Sequence, residues 1–133
     1  MPTAATIDKA QRATACLINA RRVAHGLRPL RVVRALNLAA QRHSRDMVRR
    51  NYFSHSSRSR WRARGSSLFA ENIAWGAGSF GDAQSIVAGW MGSRGHRANI
   101  LHPGFRTLGV GVAPGVPGRR ARGGTYTADF ATP

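Results

Sequence analysis

Thr107-Leu108-Gly109-Val110-Gly111-Val112 and Thr125-Tyr126-Thr127-Ala128-Asp129-Phe130 decide the fold, because in each an apolar residue recurs at every second position. That period predicts two strands, with Leu108, Val110 and Val112 on one face of the first and Tyr126, Ala128 and Phe130 on one face of the second. Between them Pro114 to Gly124 is rich in proline, glycine and arginine, and reads as the loop of an antiparallel pair.

Working back from the strands, the period changes to about 3.6. Ala13, Cys16, Leu17, Ala20, Val23 and Ala24 form the expected stripe of a helix from about Thr6 to His25, with Gly26 at a left-handed terminator and Pro29 preventing a restart. Leu36, Ala39, Ala40, His43 and Met47 mark a second helix that ends near Arg50, with Asn51 as its terminator. Asp82 is the expected N-cap of a third helix that buries Ile86, Val87, Trp90 and Met91 and ends near Ser93. Gly95 then allows a turn that presents His96. Ser54 to Ser67 has no period and reads as an exposed loop, in which Trp61 either pins the loop to the core or stands in solvent. Helices first and strands last give an α+β class in which helices cover a small sheet. At 133 residues the chain has the length of one domain, residues 1–133.

The net charge of +16 comes almost wholly from arginine, since Lys9 is the only lysine. Such a charge favours anionic partners, whether an envelope polymer, lipid headgroups or nucleic acid. The arginines are scattered and not interleaved with aromatics, so no specific nucleic-acid site is expected, only non-specific binding through counterion release. One cysteine, Cys16, excludes an internal disulfide, and its place on the stripe predicts a buried thiol. No stretch has the ~20 apolar residues of a membrane span, and residues 1 to 20 carry charges where a signal peptide would be apolar. A monomer is expected.

Glu71 is the only glutamate, and it lies between Tyr52-Phe53-Ser54-His55 and Gly95-His96-Arg97. A carboxylate flanked by two histidines in a chain this poor in acids is the candidate for site chemistry. His55, His96 and Glu71 can bind zinc or a similar divalent ion with a position open to water. Glu71 would then act as ligand or general base in a metal-assisted hydrolysis of a peptide or ester bond. Without metal, Glu71 and His96 can form a proton-transfer pair, with Ser93 as a conceivable nucleophile, or a purely structural hydrogen bond. His43 reads as a satisfied core histidine, His25 as a cation complementing a helix C-terminus, and His102 as a turn residue with no visible partner. Asn72 and Asn99 are expected to bond backbone within their own segments, while Ile100 and Leu101 anchor a loop. Trp75 and Trp90 are core residues or the lining of a lipid-binding groove.

In order, Leu36-x-x-Ala39-Ala40-x-x-His43-Ser44-x-Asp46-Met47, Tyr52-Phe53-Ser54-His55, Glu71-Asn72-Ile73-Ala74, Trp90-Met91-x-Ser93-x-Gly95-His96-Arg97-Ala98-Asn99-Ile100-Leu101 and Gly109-Val110-Gly111-Val112 resemble the bacterial, SCP-like branch of the superfamily of cysteine-rich secretory proteins, antigen 5 and pathogenesis-related 1 proteins. The resemblance covers about residues 10 to 131. It implies a three-layer α-β-α sandwich with a small, mainly antiparallel sheet. It also implies a secreted or envelope location and a cleft of two histidines and two acids. The histidines match His55 and His96 and the first acid Glu71. The second acid would fall at Ser93, so the acid pair is incomplete, which argues against catalysis by paired carboxylates. The segment from His55 to Glu71 is short, which would leave one wall of the cleft open, and Tyr126 stands where the family often has tryptophan.

Overall fold

A computed structural model describes residues 4–57 and 68–132. In chain order the elements are α1 (Ala4–Ala24), β1 (Arg31–Val32), α2 (Arg34–Arg49), β2 (Phe69–Ala77), a 3-10 turn (Gly78–Gly81), α3 (Ala83–Met91), α4 (Arg94–Ile100), β3 (Thr107–Val116) and β4 (Arg119–Ala131). The strands form one sheet in the order β1-β3-β4-β2, with β1 parallel to β3 and both other pairs antiparallel. The fold is the expected α+β sandwich: α1, α3 and α4 lie on one side of the sheet and α2 on the other.

The two faces of β3 explain the layers. Leu108, Val110 and Val112 join Tyr126, Ala128 and Phe130 in one core with Ile18 of α1 and Ile86, Val87 and Trp90 of α3. On the opposite face Gly109 and Gly111 leave no side chain, and α2 settles onto the bare backbone. A Cβ on Gly111 would stand 2.2 Å from the Ala40 carbonyl carbon, and one on Gly109 2.2 Å from that of Leu36. Ser44 fixes the register, its hydroxyl donating to Gly111 O at 3.1 Å and hydrogen-bonding the Thr127 hydroxyl at 2.8 Å.

Because β1 is two residues long, most of the outer edge of β3 lacks a strand. Helix side chains take its place. Val110 N donates to Asn37 Oδ1 at 2.9 Å and Val112 N to Gln41 Oε1 at 2.8 Å. In return Gln41 Nε2 donates to Val112 O at 2.6 Å, and Gln11 Nε2 donates to Val110 O.

α2 buries Ala40, His43 and Met47 as expected, and Asn51 beyond it has φ 58°. Asp82 caps α3 by accepting from Ser85 N at 2.7 Å. Gly26 is left-handed at φ 75°. α1, however, is rotated by about one residue from the expected stripe: it buries Thr14, Ala15, Ile18 and Arg22, leaving Val23 58% exposed. Cys16 is therefore exposed, not buried. The cause is Arg22, whose guanidinium is 1% exposed and donates to the carbonyls of Arg28, Ile100 and His102, each at 2.8 Å. These bonds tie the end of α1 to the end of α4. Burial, and then the nearby charge of Arg106, hold its pKa below the ordinary arginine value.

Further differences are local. The supposed loop from Pro114 to Gly124 is mostly strand, with only Pro117 and Gly118 turning between β3 and β4. Gly95 lies inside α4, so His96 is presented by a helix and not by a turn. His102 does have partners: its Nδ1 accepts from Gly104 N at 2.9 Å and its ring packs 4.8 Å from that of Phe105. His25 sits past the end of α1 with Nδ1 on Arg21 O at 2.8 Å. Trp90 is core, donating to Ile73 O at 3.2 Å, whereas Trp75 is 37% exposed under the Arg119 guanidinium, 5.1 Å from the ring centre. Trp61 and most of the Ser54 to Ser67 loop lie outside the described residues. Among the described residues no helix is long and apolar enough to cross a membrane.

Candidate functional site

Two consecutive residues of β2 position both histidines. Along a strand successive side chains point to opposite faces, so Glu71 and Asn72 reach different parts of the molecule. Glu71 faces the segment that follows α2. Its Oε1 receives Ser56 N at 2.8 Å and lies 3.1 Å from His55 Nδ1, while its Oε2 receives the Ser56 hydroxyl at 2.6 Å. Asn72, fully buried, holds α4: its Nδ2 donates to His96 O at 3.0 Å and its Oδ1 receives Asn99 Nδ2 at 2.8 Å. Asn72 and Asn99 thus join β2 to α4, instead of each bonding within its own segment. Ile100, fully buried, anchors the far end of that helix.

The Glu71 side chain is fully buried while that of His55 is 51% exposed. Burial alone would raise the Glu71 pKa, but hydrogen bonds from Asp129, Ser56 and His55 outweigh it and hold the carboxyl below its ordinary value. Asp129 is the residue directly opposite Glu71 in the β2–β4 register, and is itself fully buried. A bond between two carboxyl groups needs a proton on one of them. Glu71 and Asp129 therefore form a buried pair that shares one proton.

On α4, His96 Nδ1 lies 3.0 Å from the Ser93 hydroxyl. Burial, and next the proximity of His55, lower the His96 pKa below 6.5, which favours the neutral ring. The carboxylate that was to pair with His96 therefore pairs with His55, and the partner of His96 is Ser93. With both Nδ1 atoms engaged, Nε2 of each ring is the nitrogen left for a ligand. Beside His55 a recess of about 400 Å³ is lined by Arg42, His43, Asp46 and Tyr52. There His43 Nε2 bonds Ser54 O at 2.8 Å, and the Tyr52 hydroxyl donates to Asp46 Oδ2 at 2.6 Å. Burial and then the Asp46 bond push Tyr52 up to about 12.

Among the described residues no group of three or more His, Cys, Asp or Glu side chains stands close enough to hold a metal ion. The available donor set is two imidazoles, with Glu71 behind one of them. A metal-binding histidine commonly gives its other ring nitrogen to a carboxylate, so this arrangement fits a metal held by nitrogen with Glu71 as orienting partner. It fits less well with Glu71 as a ligand, because both its oxygens already accept bonds.

Sequence reasoning missed Ser56 and Asp129. Ser56 gives no signal of its own in a serine-rich loop. Asp129 gives one: an acid amid the threonines on one face of a strand whose other face is apolar is a buried carboxyl awaiting a partner.

The cysteine-rich secretory protein family (CAP) matches residues 16–130. The uncharacterized protein YkwD of Bacillus subtilis is 39% identical over 103 residues, 71% of this chain and 39% of its own length. The uncharacterized membrane protein YlbC of the same organism is 38% identical over 104 residues, 72% of this chain and 29% of its own length. The chain thus spans well under half of these relatives. An extracellular protein containing an SCP domain from Bacillus anthracis has a TM-score of 0.75 at 30% identity, over 100% of this chain and 45% of its own. An outer surface protein of Borrelia burgdorferi, 14% identical, shares the fold with a TM-score of 0.73 over 93% of this chain and 92% of its own. With the sandwich, the two histidines and the intervening glutamate arranged as described, the family match over residues 16–130 makes this chain a member of the cysteine-rich secretory protein (CAP) family.

Proposed function

We propose that this domain works in the cell envelope or outside the cell, and that its cleft binds a divalent metal such as zinc through Nε2 of His55 and of His96. Its basic surface meets anionic envelope components. The observation that carries the metal reading is the contact of His55 Nδ1 with the buried Glu71 at 3.1 Å. It fixes the orientation of the ring, as carboxylates behind metal-binding histidines do. The location is supported by the relatives, which include an extracellular and an outer surface protein. The test is a zinc titration of the metal-stripped protein by calorimetry. One-to-one binding should vanish in His55→Ala and in His96→Ala, and weaken about tenfold or more in Glu71→Gln with the fold intact. A folded wild-type protein that takes up no zinc refutes the reading.

A second reading, hydrolysis of a peptide or ester bond, draws on the Ser93–His96 contact of 3.0 Å. Against it, a general base needs a free lone pair and a pKa near the working pH, and Glu71 is held low by the bonds it accepts. If the domain hydrolyses any ester, Ser93→Ala should abolish turnover while zinc binding persists; unchanged turnover excludes Ser93 as nucleophile.

A further inference from the structure

We infer that the outward face of α2 is a docking surface for an anionic phospholipid bilayer, an inference that rests on the proposed role of the basic surface and gives it a place. Arg34, Leu38, Arg42, Arg45 and Arg49 are all exposed. At 100° per residue they fall within an arc of about 80° along a helix of roughly 24 Å. The only acid on α2, Asp46, lies beyond the edge of that arc and is engaged by Arg50 at 3.5 Å and Tyr52 at 2.6 Å. Among the described residues none of the four arginines is ion-paired. The face therefore presents four uncompensated guanidiniums around one exposed leucine, Leu38, which is 51% exposed.

Shape chooses the partner. A single strand of polyanion is best held in a groove that lines both its sides, and it meets a convex helix ridge along one line only. A bilayer meets the ridge along its whole length, with guanidiniums at the phosphate level and Leu38 among the headgroups. The ridge is also rigid, since the opposite side of α2 lies against the backbone of Gly109 and Gly111. It reaches the membrane without the ordering cost of a flexible basic tail.

The test is partitioning of the full chain onto vesicles of phosphatidylcholine with and without phosphatidylglycerol, at physiological salt. The variant is Arg34→Gln, Arg45→Gln, Arg49→Gln; Arg42 is left in place because it also lines the recess beside His55. A control loses the same charge elsewhere, through Arg21→Gln, Arg28→Gln, Arg122→Gln. Each arginine at an anionic surface is worth about fivefold, so the α2 variant should lose about a hundredfold in partitioning and the control well under tenfold. Equal losses in both would overturn the inference, leaving net charge as the only determinant. So would a wild-type affinity for duplex DNA or another soluble polyanion that matches or exceeds its affinity for the vesicles and falls equally in the α2 variant. A wild-type protein that binds no anionic vesicle at all would sink the envelope role of the basic surface as well, so the two failures are distinct.

Discussion

The two sides of β4 are built by opposite means. Toward β3 and α2 the contact is made by missing side chains: Gly109 and Gly111 admit a helix backbone directly. Toward β2 and α4 it is made by polar side chains that are present and bonded to one another or to backbone: Glu71, Asn72, Asn99, Ser56 and Asp129. The first side fixes a distance, the second fixes orientations. A site that must aim two imidazoles needs the second kind, and it stands on the rigidity supplied by the first.

Substitutions can separate these roles. The largest effect is expected for Gly111→Val, since the new Cβ would meet main-chain atoms of Ala40 and Gln41 at 2.2 Å and neither can rotate away. It should cost about 3 kcal/mol or more in urea denaturation, with no selective effect on the cleft. Asn72→Ala should cost about 2 kcal/mol, because the carbonyl of His96 and the amide of Asn99 lose a buried partner. Unlike the glycine change it should also weaken zinc binding in protein that remains folded; an unchanged affinity would show that α4 does not need this clamp. Asp82→Ala tests a position outside both regions, and should cost about 1 kcal/mol through loss of the α3 cap, leaving zinc affinity unaltered.

The smallest effect concerns pH in the metal-free protein. Folding lowers the His96 pKa from 6.5, so the unfolded chain takes up a proton first as pH falls. The stability that His96 contributes is complete above 6.5 and is lost progressively as pH falls through its folded value. Stability measured downward from pH 6.5 should therefore fall less steeply in His96→Gln than in the wild type. Parallel curves would mean that the ring titrates alike in both states.

How much of this was legible in the sequence follows the same division. The alternation of Leu108, Val110 and Val112 with glycines announced a strand, and Asp82 announced a cap, because each is a local pattern with a local cause. β2 escaped notice because Glu71, Asn72 and Ile73 are buried in succession, on both faces and with two polar residues among them, which erases the period of two. The phase of α1 was misjudged because a buried arginine is invisible to a hydrophobic count: Arg22 is paired with three carbonyls that lie 6 to 80 residues away. The two histidines and Glu71 were singled out by their chemistry, and the contact of His55 with Glu71 at 3.1 Å brings two of the three together. Which histidine met the carboxylate was beyond reach, since it depends on which face of β2 each side chain takes.

The edge of β3 has one more consequence. An uncovered strand edge is a template on which another chain can add itself, and sheets with such edges are prone to grow into fibres. Here the amide groups of Val110 and Val112, and their carbonyls, are already taken by Asn37, Gln41 and Gln11. Helix side chains mimic a missing neighbour and then stop, so the sheet cannot be extended from that side. A sealed edge is what keeps crowding from turning into polymerisation.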